Sequence, residues 1–306
     1  MKLIRGLCNL RAEHQGSVAS IGNFDGVHLG HQTVVKQALT QADKLQTQST
    51  AITFDPSPNE YFRKESAPGR LTPLCEKVAL LDQLGIDQTL RLPFNTSLAN
   101  MSADDFIRVV LVDGLKIKQL VVGDDFRFGK NRTGDFELLK KAGEEHGFNV
   151  VDTHTFICDD GQRVSSSRIR QALSDGDFSL AEKLLDRPFT LSGKVMHGDK
   201  RGRTIGFPTL NIRANRPISP LKGVFAVKVE GFGNGVANIG TRPTFNAKGF
   251  LAEIHLLDFS GDLYGQRITV HWLKKLRDER KFENFEALVT QIKKDIKNAE
   301  NWFTKN

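Results

Sequence analysis

The chain has 306 residues and a formal net charge of +7, with 39% hydrophobic and 26% charged residues. This length suits two domains of ordinary size, in the composition range of soluble globular proteins. No run approaches the roughly eighteen apolar residues of a membrane span, and residues 1–10 lack the apolar core of a signal peptide. The three cysteines, Cys8, Cys75 and Cys158, form no metal pattern or disulfide framework, which suggests a reducing, cytoplasmic setting. Lysines and arginines are spread along the chain without a zinc-finger, RNP-type or heptad pattern. Small anionic substrates are therefore expected as partners, rather than nucleic acid or membrane. The sequence does not indicate an oligomeric state.

Residues 17–21 are small and apolar, as in a strand buried within a sheet. Val34, Val35, Ala38, Leu39, Ala42 and Leu45 recur on one face of a helix. The stretch between them reads Ser20-Ile21-Gly22-Asn23-Phe24-Asp25-Gly26-Val27-His28-Leu29-Gly30-His31-Gln32. Its glycines let the backbone turn sharply and approach a ligand. His28 and His31, three residues apart, share a face in the opening helical turn. Free N–H groups and the positive end of the helix dipole suit a phosphate there. Two imidazoles beside it can donate hydrogen bonds to phosphoryl oxygens as charge develops. The stretch resembles the His-x-Gly-His signature of nucleotidylyltransferases, which transfer a nucleoside monophosphate from ATP. Its wider wording is similar to that of the bifunctional riboflavin kinase/FAD synthetases of bacteria.

Next comes a strand-like run, 49–54, ending in Asp55-Pro56-Ser57-Pro58, where the prolines are expected to stop strand and helix and leave a loop. Residues 74–84 predict a helix closed by Gly85. Ser102 with Asp105 predicts a helix start, followed by a strand at 119–122, a helix at 136–146 and a strand at 148–152. This alternation predicts a parallel sheet with helices on both faces and ligands beyond the strand C-termini. Gly123-Asp124-Asp125-Phe126-Arg127-Phe128-Gly129-Lys130 follows a buried strand. It reads either as a pocket for an aromatic ring and a phosphate or as a solvated loop. Ser165-Ser166-Ser167-Arg168-Ile169-Arg170 reads either as a linker or as a helix start with hydroxyl caps and a triphosphate clamp. These two segments and Asp55-Pro56-Ser57-Pro58 all resemble the synthetase family in order and wording.

Around Asp186-Arg187-Pro188 the texture changes to short alternating runs at 189–195, 224–230, 235–239, 251–257 and 267–273. These predict a small antiparallel barrel, with a final helix over 284–302. Before the second run lies Gly198-Asp199-Lys200-Arg201-Gly202-Arg203-Thr204-Ile205-Gly206-Phe207-Pro208-Thr209-Leu210-Asn211. Glycines among cations suit a flap over polyphosphate, although no P-loop is present. Thr209 and Asn211 share a face of an extended strand and suit a phosphate-bound magnesium. The stretch resembles the flavokinase signature Pro-Thr-Ala-Asn, with Leu210 in place of alanine and expected to point away from both polar neighbours. Segments 238–245, 253–259 and 273–279 resemble that family as well.

The resemblance covers nearly the whole chain. It implies an α/β fold with a Rossmann-like nucleotidylyltransferase domain, 1–186, and a small antiparallel β-barrel flavokinase domain, 187–306, ending in a helix. It implies ATP as co-substrate, riboflavin and FMN as substrates, and Mg2+. In the second half, Glu253 is the implied base for riboflavin phosphorylation, partly desolvated if its strand turns it toward Leu251, His255 and Leu257. Gly198, Lys200, Arg203, Gly206, Pro208 and Asn238 would bind ligand, and Arg277 would sit on a second flap over flavin. In the first half, His28 and His31 would steady the transferred phosphate, and Arg168 or Arg170 the pyrophosphate. Gly22, Asn23, Phe24, Asp25, Gly26, Asp55, Pro56, Asp124, Asp125, Phe126, Arg127, Phe128, Ser165, Ser166 and Ser167 would line the nucleotide and flavin pockets. The competing readings are a single-step nucleotidylyltransferase with a barrel that only binds, and a flavin-sensing or nucleic-acid-binding protein without catalysis.

Overall fold

The structure is a computed structural model that describes residues 1–123, 125–153, 156–197, 207–214, 218–240 and 250–306. They form two compact units, 1–68 with 72–165, and 69–71 with 166–306. The first unit holds β1 (Lys2–Arg5), β2 (Val18–Ile21), α1 (Leu29–Lys44), β3 (Ser49–Phe54), α2 (Pro58–Arg63), α3 (Leu74–Gln83), β4 (Gln88–Leu92) and α4 (Thr96–Asn100). It continues with α5 (Ala103–Phe106), which runs into a wider-turned helix (Ile107–Gly114), then β5 (Gln119–Gly123), α6 (Phe136–His146) and β6 (Asn149–Thr153).

The six strands form a sheet in the order β1-β4-β3-β2-β5-β6, parallel throughout. Every residue of β2 is buried, as expected of a central parallel strand covered on both faces. Ala19, Ile21, Ile52, Leu120 and Val122 pack on one face with Phe106, Ile107, Val110, Leu111 and Leu139. The alternate residues Val18, Ala51 and Val121 pack on the other with Val35, Ala38 and Leu81.

Strand β4 was not expected from its Gln-Thr-Leu-Arg-Leu sequence. Its buried Gln88 donates through its amide nitrogen to the His14 carbonyl at 2.9 Å and to Thr50 Oγ1 at 2.8 Å, so this donor is satisfied inside the fold. Pro58 also corrects an expectation. It starts α2 instead of blocking a helix, because proline suits the first helical position and Ser57 with Glu60 forms a capping box.

Chain order makes β2 and β5 neighbours whose onward connections diverge, through α1 to β3 and through α6 to β6. A crevice at the C-terminal ends of such a pair is where open α/β sheets bind ligands.

The second unit holds α7 (Ser166–Asp175), α8 (Phe178–Leu185), β7 (Thr190–Met196), β8 (Leu210–Ala214), β9 (Gly223–Val229), β10 (Gly233–Ile239), β11 (Leu251–Leu256), β12 (Arg267–Arg277) and α9 (Phe285–Lys305). Six antiparallel strands close a barrel in the order β10-β11-β8-β7-β12-β9. Alternate residues such as Ile212, Ala237, Ala252 and Ile254 are buried while their neighbours are not. Strand β12 runs beyond the expected 273 to Arg277, and α9 packs against β9, β10 and β12.

Candidate functional site

The turn after β2 is held by β3, by α3 and by Thr72, which lies just before α3. The Gly22 N–H donates to the Ile52 carbonyl at 3.1 Å, and Gly26 N–H to Thr72 Oγ1 at 2.9 Å. Asp25 accepts from the Thr72 N–H at 3.0 Å, so its carboxylate shapes the turn. Gly26 has φ +94°, and buried Phe24 and Val27 adopt φ 46° and 42°. Such backbone persists in non-glycine residues only where the surroundings enforce it. Lys77 of α3, only 6% exposed, donates to the Asn23 carbonyl at 2.5 Å and to Thr53 Oγ1 at 3.2 Å.

The two histidines meet at the start of α1. His28 is its N-cap, 5% exposed, and its Nδ1 accepts from the His31 N–H at 3.4 Å. An accepting Nδ1 puts the ring proton of neutral His28 on Nε2. The rings stack with centroids 3.6 Å apart and planes 17° apart, and Phe24 meets His31 edge-on at 5.5 Å. A Cβ on Gly30 would lie 3.3 Å from the His28 ring and 3.5 Å from the Val164 carbonyl, so this position favours glycine. His31 Nδ1 and Asn23 Oδ1 are buried without a hydrogen-bond partner among the described residues. Burial holds the His31 pKa well below 6.5, assisted by repulsion from His28, Lys77 and Arg163. A stacked pair with polar nitrogens out of bulk water is a preorganised donor set for a phosphoryl group.

The loop after β5 differs in part from its expected role. Asp125 pairs with Arg163 at 2.7 Å, and Arg127 with Asp135, the N-cap of α6, at 3.1 Å. Phe128 is buried against Phe106 and stacks on half-buried Phe126, so its ring belongs to the core and does not line an open pocket. The exposed aromatic surface at this end of the sheet is a missed cluster of Phe54, Tyr61, Phe62 and Phe94, with Phe62 64% exposed. Asp55, at the end of β3, accepts from Arg91, and Pro56 follows it before α2.

Helix α7 opens at Ser166, immediately after Ser165, with Ser167, Arg168 and Arg170 on it. The two arginines, two residues apart, project to different sides. Arg170 is committed through Nε to the Gly69 carbonyl at 2.6 Å. Asp124, Gly198, Lys200, Arg203 and Gly206 lie outside the described residues.

On the barrel, register gathers the implied kinase residues. Asn211 of β8 stands opposite Glu253 of β11, and Glu253 opposite Asn238 of β10. Directly paired residues point to the same face, so Asn211, Glu253 and Asn238 form one row. Leu210 pairs with buried Ile254 and points to the other face, as expected. Thr209 precedes β8 and is half-buried. The Pro208 carbonyl lies 2.9 Å from His255 Nδ1.

Glu253 is a correction. It is exposed, because Ala252, Ile254 and Leu256 fill the interior and its own row faces outward, so burial does not desolvate it. Arg277 is a second correction. It ends β12 and forks onto buried Asp295 at 2.7–3.0 Å, held by a helix instead of riding a flap.

No group of three His, Cys, Asp or Glu suited to a metal occurs among the described residues. A neutral amide oxygen opposite a carboxylate fits a magnesium carried mainly by phosphate and water.

A doubly wound sheet with a stacked histidine pair at its switch point, together with a six-stranded barrel bearing an Asn-Glu-Asn row, defines a two-domain phosphate-transfer protein. A family model for FAD synthetase matches residues 10–168, and one for riboflavin kinase matches 185–303. The chain is 47% identical to the bifunctional riboflavin kinase/FMN adenylyltransferase of Haemophilus influenzae, over 99% of both chains. It is 48% identical to that of Escherichia coli K12, over 99% of this chain and 98% of the other. The chain belongs to this family of bifunctional riboflavin kinase/FMN adenylyltransferases. A solved Streptococcus pneumoniae structure described as a macrolide-efflux protein is also similar, with TM-score 0.79 and 30% identity over 99% of this chain and 100% of that one. No helix among the described residues is long and apolar enough to cross a membrane.

Proposed function

We propose that residues 187–306 phosphorylate riboflavin from ATP to give FMN, and that residues 1–186 transfer the adenylyl group of a second ATP to FMN, giving FAD and pyrophosphate. The observation that carries the second step is the stacked His28–His31 pair at the head of α1. The FMN phosphate is already an anion, so its attack on the α-phosphate needs positioning and charge stabilisation, not a strong base. His28 and His31 donate to the oxygens on which charge accumulates. Arg168, which ends the matched FAD synthetase stretch, is assigned to the leaving pyrophosphate on family resemblance.

In the barrel, Glu253 takes the proton of the ribityl hydroxyl as that oxygen attacks the γ-phosphate and the bond to the bridging oxygen breaks, releasing ADP. Bound substrate would supply the desolvation that its exposed strand position lacks. Thr209 and Asn211 would hold a phosphate-bound Mg2+, which would neutralise developing charge on the phosphates. The test is a time course with riboflavin, ATP and magnesium, following flavins by chromatography. FMN appearing first and FAD later is expected. Absence of both products, with FMN supplied directly in a parallel reaction, would contradict the reading.

A further inference from the structure

The end of β12 is fastened to α9 by a buried polar network that neither proposed step uses. Asp295 is 3% exposed and accepts from Arg277 Nε at 3.0 Å and from the adjacent guanidinium nitrogen at 2.7 Å. Gln291, one helical turn earlier, donates to Asp295 Oδ1 at 2.6 Å and accepts from Arg280. The third Arg277 nitrogen donates to the Asp278 carbonyl at 3.0 Å, and the guanidinium groups of Arg277 and Arg280 lie 5.7 and 4.9 Å from the Phe282 ring centroid. Two side chains of α9 thus fix the course of 277–282. A bidentate, charge-assisted contact fixes direction as well as distance.

The fastened segment starts at the same level of the barrel as the Asn-Glu-Asn row, two strands from Asn238. Arg277 pairs with Val224, Val224 with Asn238, and Asn238 with Glu253. Glu279, two residues past Arg277, lies against Gly240, where an added Cβ would fall 2.8 Å from its Oε1. Gly240 is two residues beyond Asn238. We infer that Asp295 and Gln291 are positioning residues for riboflavin phosphorylation, holding 277–282 so that Glu279 stands at the edge of the site carrying Glu253 and Asn238. This rests on the proposed kinase reading of the barrel.

The test assays Asp295→Asn, Gln291→Leu, Glu279→Gln and the Asp295→Asn/Glu279→Gln double variant of the full chain beside the wild type. Initial rates of FMN formation are measured against riboflavin concentration, well below each melting temperature. Asp295→Asn and Glu279→Gln are each expected to lower kcat/KM for riboflavin by about tenfold, and the double variant by far less than a hundredfold, because the two act as one unit. Gln291→Leu, which removes only neutral groups, covers the case in which Asp295→Asn does not fold, and is expected to raise KM about threefold. FAD formation from supplied FMN should stay within twofold throughout. A riboflavin KM unchanged in Gln291→Leu and Asp295→Asn, or fully multiplicative losses in the double variant, would overturn the inference while wild-type FMN formation still supported the kinase reading. A wild type that makes no FMN would overturn that reading and this inference with it.

Discussion

At the residue scale, the proposed adenylyl-transfer site is framed by side chains that do not themselves face a reacting atom. The expected helix over 74–84 did not single out Lys77. In the fold it fixes the Asn23 carbonyl and one side of the histidine turn. Lys77→Met is expected to reduce FAD formation from FMN by about tenfold or more, the scale of misplacing a preorganised donor, while FMN formation stays within twofold. Equal loss of both rates would count against this role. The depressed His31 pKa has a consequence for stability. Below about pH 6.5 the unfolded chain takes up a proton that the folded chain refuses, so stability falls as pH drops through that value toward the folded pKa. Urea midpoints should therefore decline from pH 7 to pH 5 less steeply in His31→Gln than in the wild type. Identical slopes would show that His31 does not contribute.

At the element scale, strand β11 sets a structural residue beside a chemical one. Ile254 is fully buried and Glu253 exposed. Ile254→Ala should cost about 2–5 kcal/mol in denaturant unfolding. Glu253→Gln should leave stability within about 0.5 kcal/mol while lowering FMN formation by about 10²-fold or more. Equal destabilisation by both would mean that the barrel's faces are assigned wrongly. The alternation placing these residues was readable in the sequence, but which face was core was not. Leu251 and His255 look apolar beside Glu253, and only closure of the barrel puts Ala252, Ile254 and Leu256 inside. For the same reason β4 escaped notice, since Gln88 acquires its partners only from neighbouring segments. Arg277 likewise reads as a mobile loop cation until α9 supplies Asp295. The glycine turn, its histidines and the β2–α1 unit were legible because their signals are local: small strand residues, spacing of three, and a 3.6-residue period.

At the scale of the whole molecule, the chain joins two folds that manage phosphate differently. In the proposed steps the parallel sheet offers a helix N-terminus and a stacked imidazole pair to a nucleophile that is already an anion. On the same proposal the antiparallel barrel offers Glu253, set between Asn211 and Asn238, to a hydroxyl that must lose a proton. Both matched families span their own part of the chain, 10–168 and 185–303, so each activity should respond to its own residues. The most direct test is His28→Ala, incubated with riboflavin, ATP and magnesium, with FMN and FAD separated over time. FMN should accumulate at the wild-type rate while FAD formation falls by about 10²-fold or more. Parallel loss of both products in a folded protein would contradict two separate sites.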